Sequence, residues 1–275
     1  MKSLVCITGA TGGLGKAFAV ECASRGWDLF LTDLSEFSLS QLAHSLTNTY
    51  NINVHYRCCD LTDFEARSAL FEHLVQSGLD FNMLINIAGL DYEGPFSERT
   101  RRQILTILRL NIEANLEMTL AVLKLRDMSR PFRIINVSSL AAYYPMPVKA
   151  MYASSKRFLL DFSRALGEEI RSLGATVTAL CPAGMPTTSE CIKAIEAQGL
   201  AGRITTQNVG FVAAGTIDCA LRGKAVYIPG LTNRLIKTIS SLVPPFLIAR
   251  IVGNRWMAAQ RKRAIANRIA QPRLS

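Results

Sequence analysis

A tyrosine and a lysine four residues apart are the side chains of this sequence best suited to proton chemistry. Tyr152 and Lys156 would share one face of a helix. An ammonium group beside a phenol favours the phenolate, and therefore lowers the pKa of the tyrosine. A phenol tuned in this way can pass a proton to or from an alcohol oxygen. Ser139, at the end of a predicted strand, could hydrogen-bond the same oxygen.

Apolar runs and prolines predict the elements around these residues. Ile134–Val137 is apolar and too short for a helix, so a buried strand is predicted there. Pro145 and Pro147 interrupt regular structure, and a helix is predicted from Tyr152 to about Leu173. Such a Tyr and Lys pair is common on solvated helix faces, so its meaning depends on the N-terminal sequence.

A glycine-rich loop follows the first predicted strand, Leu4–Thr8. The run TGATGGLG spans Thr8–Gly15, and a helix is predicted from Lys16 to about Arg25. Glycines let the backbone approach a pyrophosphate closely, and a helix N-terminus offers it free N–H groups. A loop of this kind between a strand and a helix predicts a dinucleotide site. The expected contacts are Gly9, Thr11, Gly13, Leu14 and Gly15.

An acidic residue follows the second predicted strand, Trp27–Thr32. Asp33 lies 18 residues after Gly15, near the spacing of a carboxylate that binds the adenosine ribose 2′-OH. A carboxylate in that place repels a 2′-phosphate, which favours NAD as the cofactor and makes NADP the second choice. The alternative is that Asp33 merely caps the helix that starts near Ser35.

Two further strands are predicted to deliver residues to the same nucleotide. Asn53–Cys58 leads into Asp60 and Leu61, where Asp60 either contacts the adenine edge or caps the next helix. Asn82–Asn86 leads into NIAG, Asn86–Gly89. Because strands and helices alternate, the sequence predicts an α/β fold with a doubly wound parallel sheet.

These motifs occur in the order found in the short-chain dehydrogenase/reductase family, which the chain resembles over nearly its whole length. TGxxxGxG is present at Thr8–Gly15, an NNAG-like element at Asn86–Gly89 and YxxxK at Tyr152–Lys156. Ser139 lies 13 residues before Tyr152, as in the family pattern. The resemblance implies a seven-stranded Rossmann fold over residues 1–230, and an enzyme that interconverts a secondary alcohol and a ketone.

By this resemblance four residues form the catalytic set. Tyr152 is the general acid/base, Lys156 lowers its pKa and binds the nicotinamide ribose, and Ser139 polarises the carbonyl oxygen. Asn111 supports Lys156 through a water, although it could instead satisfy the backbone of a helix bend. Further cofactor contacts are implied at Asn86, Ala88, Gly89, Pro182 and Thr187. No metal site is implied.

Two departures from the family pattern concern the cofactor side. Ile87 replaces the second Asn of NNAG. Ala183 replaces the glycine of a PG pair after the sixth predicted strand, Thr176–Leu180, although Gly184 follows. Both could shift the cofactor loop slightly, and neither touches the proton-transfer residues.

Apolar and aromatic residues dominate the loops Leu90–Arg99, Leu140–Met151 and Gly184–Thr206, which should lie at the carboxyl edge of the sheet. A short helix predicted at Ser189–Gln198 could act as a lid. An apolar wall suits a bulky ketone or alcohol of steroid, lipid or acyl type. Packing on the core or on a subunit is the alternative. The wall residues are Leu90, Tyr92, Tyr143, Tyr144, Met146, Met185 and Pro186.

The positive charge of the chain is concentrated at its C-terminus. The net charge is +10, and eleven of the 31 Lys and Arg residues lie from Arg222 onward, where no acidic residue occurs. The balanced remainder gives no indication of nucleic-acid binding. Residues 231–275 are predicted to form a basic amphipathic helical tail broken at Pro244–Pro245. It could lie on an anionic membrane surface, but covering the cleft or a subunit is the favoured interpretation.

The cellular context follows from cysteines and from the N-terminus. The seven cysteines lack CxxC spacing, which predicts free thiols in a reduced compartment. No secretory signal precedes the glycine loop, so a cytoplasmic protein is expected, with peripheral membrane contact as an option. By the family resemblance, helices Asn111–Lys124 and Tyr152–Leu173 pair across a two-fold axis, which predicts a homodimer or homotetramer.

Overall fold

Seven parallel strands form a single sheet in the order β3-β2-β1-β4-β5-β6-β7. The computed structural model describes residues 2–187 and 205–270, so the lid helix predicted at Ser189–Gln198 lies outside the described residues. The order reverses between β1 and β4, which creates a crevice at their carboxyl ends. The strands are β1 Leu4–Thr8, β2 Asp28–Asp33, β3 Val54–Cys58, β4 Met83–Asn86, β5 Phe132–Val137, β6 Ala175–Leu180 and β7 Val226–Tyr227.

Helices alternate with the strands and cover both faces of the sheet. They are α1 Gly13–Ser24, α2 Glu36–Tyr50, α3 Phe64–Gln76, α4 Arg101–Leu108, α5 Ala114–Lys124, α6 Ala150–Glu169, α7 Val209–Leu221, α8 Leu231–Ser240 and α9 Pro245–Ala270. A π-helical turn, Arg109–Glu113, joins α4 to α5, and Leu140–Tyr143 is a short 3-10 helix. No helix within this part of the chain has both the length and the apolar character that a membrane span needs.

Two apolar clusters, one on each face, hold the helices to the sheet. On one face Phe18 of α1 and Ile217 of α7 pack with β1 and β2. On the other face Leu70 of α3 and Met118 of α5 pack with β4 and β5. The predicted doubly wound parallel sheet is therefore confirmed. The six cysteines within the described residues are free thiols.

Side-chain caps correct two alternatives raised by the sequence. The hydroxyl of Ser35 accepts a hydrogen bond from the N–H of Ser38 at 3.2 Å, so Ser35 and not Asp33 caps α2. Asp63, and not Asp60, caps α3. Asp60 instead closes a turn by accepting from the N–H and hydroxyl of Thr62, both at 2.8 Å.

A buried arginine ties α3 to the segment that carries Asn111. Arg67 is 1% exposed, and its guanidinium pairs with Glu113 and Glu117, each at 2.6 Å. It also donates to the carbonyl of Leu61 at 2.8 Å. Since Glu113 ends the π-helical turn, this one side chain fixes the turn against the rest of the domain.

Arg67→Met is expected to lower the free energy of unfolding by about 3 kcal/mol, because breaking a buried ion pair costs about 3–5 kcal/mol. The lower end applies since both glutamates are partly exposed. Urea unfolding of the protein without cofactor measures the loss. Arg171→Met, which removes an exposed pair with Glu168, should change stability by less than about 1 kcal/mol. Equal effects of the two substitutions would contradict the assigned role.

Candidate active site

A cavity of about 1100 Å³ follows the carboxyl ends of the strands. Its walls come from the loops after β1 to β6 and from α4 and α6. It gathers fourteen of the fifteen predicted cofactor contacts, which are distant in sequence. These are Gly9, Thr11, Gly13, Leu14, Gly15, Asp33, Asp60, Leu61, Ala88, Gly89, Tyr152, Lys156, Pro182 and Thr187.

The glycine loop has no room for side chains where it meets other loops. Gly9 has a φ of +66°, and a Cβ there would lie 2.9 Å from the amide nitrogen of Ala88. A Cβ on Gly13 would lie 2.9 Å from the carbonyl oxygen of Thr187. Helix α1 starts at Gly13 without a side-chain cap, whereas the next three helices are capped. An uncapped N-terminus at a side-chain-free cradle fits the pyrophosphate of a dinucleotide.

Asp33 ties the glycine loop to the end of β2. Its Oδ2 accepts hydrogen bonds from the N–H of Thr11 at 2.8 Å and from the Thr11 hydroxyl at 2.7 Å. Its Oδ1 accepts from the N–H of Leu34 at 2.7 Å. The carboxylate also lines the cavity, so it places negative charge where an adenosine ribose is expected.

Asn86 does not line the cavity, contrary to the sequence expectation of a cofactor contact. Its amide is buried and donates to the hydroxyl of Thr119 and to Oδ1 of Asn136, each at 3.0 Å. It therefore joins β4 to β5 and α5. The loop that follows it is held by Thr8, whose hydroxyl oxygen accepts from the N–H groups of Ile87 and Ala88 at 3.1 and 3.3 Å.

Lys156 is buried beside Tyr152. Its Nζ lies 5.8 Å from the centroid of the phenol ring and donates to the carbonyl of Val137 at 2.8 Å. Burial lowers the pKa of Lys156 to about 8, although Asp91 opposes the shift. Lys156 is therefore mostly protonated at neutral pH and loses its charge in mildly alkaline solution.

The two serines after β5 have different surroundings. Ser138 is buried, and its hydroxyl donates to the carbonyl of Lys156 at 2.7 Å, which holds α6 to the strand. Ser139 lines the cavity, and its Oγ accepts from the N–H of Ala141 at 3.1 Å. That bond uses an oxygen lone pair, so the hydroxyl hydrogen can still be donated to a ligand.

Asn111 lies on the π-helical turn and is fully buried. Its Oδ1 accepts from the N–H of Leu90 and its Nδ2 donates to the carbonyl of the same residue, both at 2.9 Å. Nδ2 also donates to the hydroxyl of Ser155 at 3.0 Å. Asn111 thus lies at a helix irregularity but bonds the backbone of Leu90, in the loop after β4, rather than that of the bend. A Cβ on Gly89 would lie 3.2 Å from Asn111 Oδ1 and 3.1 Å from Lys156 Nζ, so both groups flank Gly89.

A second ammonium group, not anticipated from the sequence, also lies near the phenol. Lys149 Nζ is 5.6 Å from the Tyr152 ring centroid and pairs with Asp91 and, at 3.2 Å, with Glu93. Trp256 of α9 covers it, with 4.6 Å between Nζ and the ring centroid. Burial opposes the charge, but the two carboxylates outweigh it and raise the pKa of Lys149 above its ordinary value.

Replacing these two lysines is expected to change stability in opposite directions. Lys156→Met should raise the free energy of unfolding at pH 7 by about 1 kcal/mol, because it removes a buried charge whose desolvation outweighs its attraction to Asp91. In wild type the free-energy cost of burying the charged ammonium group applies fully below pH 8. It falls as the pH rises toward 10.5, because Lys156 is then neutral in the folded protein and still charged in the unfolded chain. The difference in free energy of unfolding between Lys156→Met and wild type should therefore become smaller as the pH rises through this range.

Lys149→Met is the matched control and should lower the free energy of unfolding by about 2 kcal/mol, because it leaves Asp91 buried without its cation. Thermal melts of both variants between pH 6 and pH 10, without cofactor, measure the two changes. A loss of stability in Lys156→Met at pH 7 would contradict the expected cost of burying its ammonium group.

Three of the seven residues predicted for the apolar wall line the cavity in the described part of the chain. Leu90, Tyr92 and Met185 line the cavity. Tyr143 packs in a separate small cluster, and the hydroxyl of Tyr144 accepts a hydrogen bond from Ser240 at 3.3 Å. These two tyrosines, with Met146 and Pro186, are absent from the lining. Tyr143 and Tyr144 therefore pack against other parts of the protein, which was the alternative to a place in the substrate wall.

Some residues of the site were missed at the level of sequence. Lys149 lies three positions before Tyr152, and this helical spacing was an available signal. Asp91 carried no signal, because only the fold brings it to α6. Three arginines of α4 and the π-helical turn also line the cavity, and two of them are seven residues apart on one helix face. They are Arg101, Arg102 and Arg109.

A family model described as short chain dehydrogenase matches residues 3–195 of the chain. The chain is 30% identical over 180 residues to very-long-chain 3-oxoacyl-CoA reductase-A of Danio rerio, with 64% of this chain and 56% of that protein covered. It therefore spans little more than half the length of that relative. It is 28% identical over 254 residues to 17-beta-hydroxysteroid dehydrogenase type 3 of Mus musculus, with 91% and 82% covered.

A solved structure shows the same architecture. The short-chain dehydrogenase from Sphingobium yanoikuyae in complex with NADPH superimposes with a TM-score of 0.73 at 26% sequence identity. The match covers 87% of this chain and 94% of that one. The fold of the chain thus coincides with that of a known short-chain dehydrogenase along most of its length.

Proposed function

The chain belongs to the short-chain dehydrogenase family of oxidoreductases, and from this premise we propose that it interconverts a hydrophobic secondary alcohol and a ketone with NAD as cofactor. The observation that supports the proposal is that the glycine loop lines the same cavity as Ser139, Tyr152 and Lys156. NAD bound along the uncapped start of α1 would supply or accept the hydride.

The residues of the chain would handle the proton and the oxygen. Tyr152 would donate its phenolic proton to the carbonyl oxygen in reduction, and would take a proton from the alcohol in oxidation. Ser139 would hydrogen-bond the same oxygen through its hydroxyl. The Lys156 ammonium, 5.8 Å from the ring centroid, would stabilise the phenolate and bind the nicotinamide ribose. We also propose that Asn111 supports Lys156 across Gly89.

The preference for NAD is proposed from Asp33. Its carboxylate lines the cavity at the end of β2, where negative charge disfavours a 2′-phosphate. The Sphingobium yanoikuyae relative holds NADPH, so this chain is proposed to differ from it in cofactor.

The substrate class is proposed from the apolar part of the lining, Leu90, Tyr92, Leu105 and Met185. The test is a panel of hydroxysteroids, 3-hydroxyacyl thioesters and aliphatic secondary alcohols with NAD, followed by NADH absorbance. Turnover of at least one bulky hydrophobic alcohol is expected. Cofactor binding without turnover of any member, in either direction, would instead indicate a non-catalytic NAD-binding protein.

A second candidate function is the reduction of 3-oxoacyl-CoA thioesters with NADPH. The observation that favours it is the row of arginines, Arg101, Arg102 and Arg109, which gives the cavity cations suited to phosphate groups. The discriminating comparison uses one acyl chain on CoA and on N-acetylcysteamine, which lacks the phosphates. A strong preference for the CoA form together with NADPH would select this candidate.

We propose a homodimer or homotetramer formed through α5 and α6. Each carries an exposed apolar side chain, Leu120 on α5 and Phe158 on α6, and Phe158 stacks on Phe162 at 6.2 Å. Light scattering at micromolar concentration is expected to give at least twice the mass of the chain, and Phe158→Glu should reduce it. A monomeric wild type would refute the assembly. A cytoplasmic location stays a prediction from the sequence.

A further inference from the structure

Helix α8 is turned so that its apolar face points to solvent. Leu231, Leu235 and Ile239 recur every four residues on one face, and Leu242 follows on the same side. These four side chains are 56–84% exposed. A helix at the surface of a globular protein normally presents such a stripe to the core, so the orientation of α8 is inverted.

The opposite, polar face of α8 is the one that contacts the protein. Asn233 is fully buried, and its Nδ2 donates to the carbonyls of Thr205 at 3.1 Å and Pro229 at 2.9 Å. Ser240 donates to the hydroxyl of Tyr144 at 3.3 Å. Buried polar contacts of this kind fix the rotation of the helix, so exposure of the apolar face is a property of the fold.

Exposed apolar side chains continue into the start of α9. Phe246 and Ile251 are both largely exposed. Because these two residues are five positions apart on α9 and do not share one face of it, the C-terminal apolar surface is defined by the stripe alone, Leu231, Leu235, Ile239 and Leu242. Large exposed apolar sets of this kind mark interaction sites rather than ordinary surface.

The charges around this surface identify its partner. Arg250 is exposed on α9, Arg234 is exposed on α8 while its Nε donates to the carbonyl of Ile228, and no acidic residue occurs from Arg222 onward. We propose that the C-terminal apolar surface docks on an anionic lipid bilayer, with apolar side chains entering the interface and arginines meeting the headgroups. A second copy related by two-fold symmetry would set these cations against their own equivalents, which is unfavourable.

Docking here would also place the bilayer close to the substrate side of the cavity. The loop between Ser139 and Tyr152 touches both tail helices, through Tyr144 to α8 and through Lys149 to Trp256 of α9. Hydrophobic alcohols and ketones concentrate in a bilayer, so a docked protein would receive them there. This last step rests on the proposed function, whereas docking itself does not.

Vesicle sedimentation of the full chain tests the proposal without any substrate. The protein is expected to bind phosphatidylcholine vesicles that contain phosphatidylserine at least tenfold more tightly than pure phosphatidylcholine vesicles, and to bind less tightly as salt is raised. Leu235→Glu with Ile239→Glu should weaken binding at least tenfold. The matched control is Val75→Glu with Leu173→Glu, which adds two charges at comparably exposed positions on other faces and should leave binding unchanged.

A second pair of variants tests how much the arginine charge contributes to vesicle binding. Arg250→Glu should weaken binding to anionic vesicles several-fold, whereas Arg171→Glu, at another exposed arginine, should not. Thermal melts and NADH titration would show that all variants are folded. Failure of the wild type to pellet, or equal pelleting with neutral vesicles, would overturn the proposal. Unchanged vesicle binding with loss of a dimer in the Leu235→Glu and Ile239→Glu variant would assign the surface to a subunit interface instead.

Discussion

Tyr152→Phe is expected to lower kcat by a factor of about 10²–10⁴, the usual contribution of a positioned general acid or base. The substitution removes only the phenolic hydroxyl. The ring and its contacts with the ammonium groups of Lys149 and Lys156 remain. Affinity for NADH should therefore stay within about threefold of wild type. Steady-state kinetics with the best alcohol of the panel and a fluorescence titration with NADH measure the two quantities.

Tyr143→Phe is the matched control for this substitution. Tyr143 belongs to the loop that leads into α6, but it packs outside the cavity, and burial raises its pKa to about 12. Loss of its hydroxyl should leave kcat within about twofold of wild type. A rate near wild type in Tyr152→Phe, or equal losses in both variants, would remove Tyr152 from its proposed role.

The second large effect concerns the choice between the two nicotinamide cofactors. Wild type is expected to show a kcat/KM for NAD at least about a hundredfold higher than for NADP, because like charges brought together at a binding site cost several kcal/mol. Asp33→Arg should reverse the preference by replacing repulsion with attraction toward the 2′-phosphate. Initial rates with each cofactor at fixed substrate concentration give the ratio.

Asp33 also anchors the glycine loop, so a control must separate its charge from its hydrogen bonds. Asp33→Asn keeps an oxygen that can accept from the N–H and hydroxyl of Thr11, but it carries no charge and its NH2 group cannot accept from the N–H of Leu34 as Oδ1 does. It should bring the NAD to NADP ratio to within about tenfold of unity, with little loss of thermal stability. Wild-type preference for NADP, or an unchanged ratio in Asp33→Asn, would show that the carboxylate does not face the ribose.

The alternation of apolar runs and helical segments was enough to predict the parallel sheet, because the two strands at its centre, β1 and β4, are nearly continuous apolar runs. The first and last residues of the helices were less predictable near glycines. Helix α1 begins at Gly13 rather than at Lys16, and this start was hard to predict because Gly13 and Gly15 of its first turn have low helix propensity. Asp60 was considered as the cap of α3, whereas the cap is Asp63, whose position directly before Phe64 was a signal available in the sequence.

Sequence spacing predicted which residues approach the cavity, but not which way each side chain turns. Asn86 ends β4 with its amide in the core, because Thr119 and Asn136 offer partners there. Tyr144 turns toward α8 for a similar reason. The ion pair of Lys149 with Asp91 joins positions 58 residues apart, and such a contact leaves no periodic pattern in a single sequence. These placements depend on tertiary packing.

The central position of β1 has a consequence for the nascent chain. β1 pairs with β2 on one side and with β4 on the other, where Thr8 is in register with Asn86. While the ribosome is still making α3, one edge of the apolar strand Leu4–Thr8 therefore has no partner, and its N–H and C=O groups are open to other chains. At that stage the hydroxyl of Thr8 also lacks the N–H groups of Ile87 and Ala88, from which it accepts hydrogen bonds in the folded protein. The partial chain is thus expected to be open to aggregation early in its synthesis, until β4 emerges.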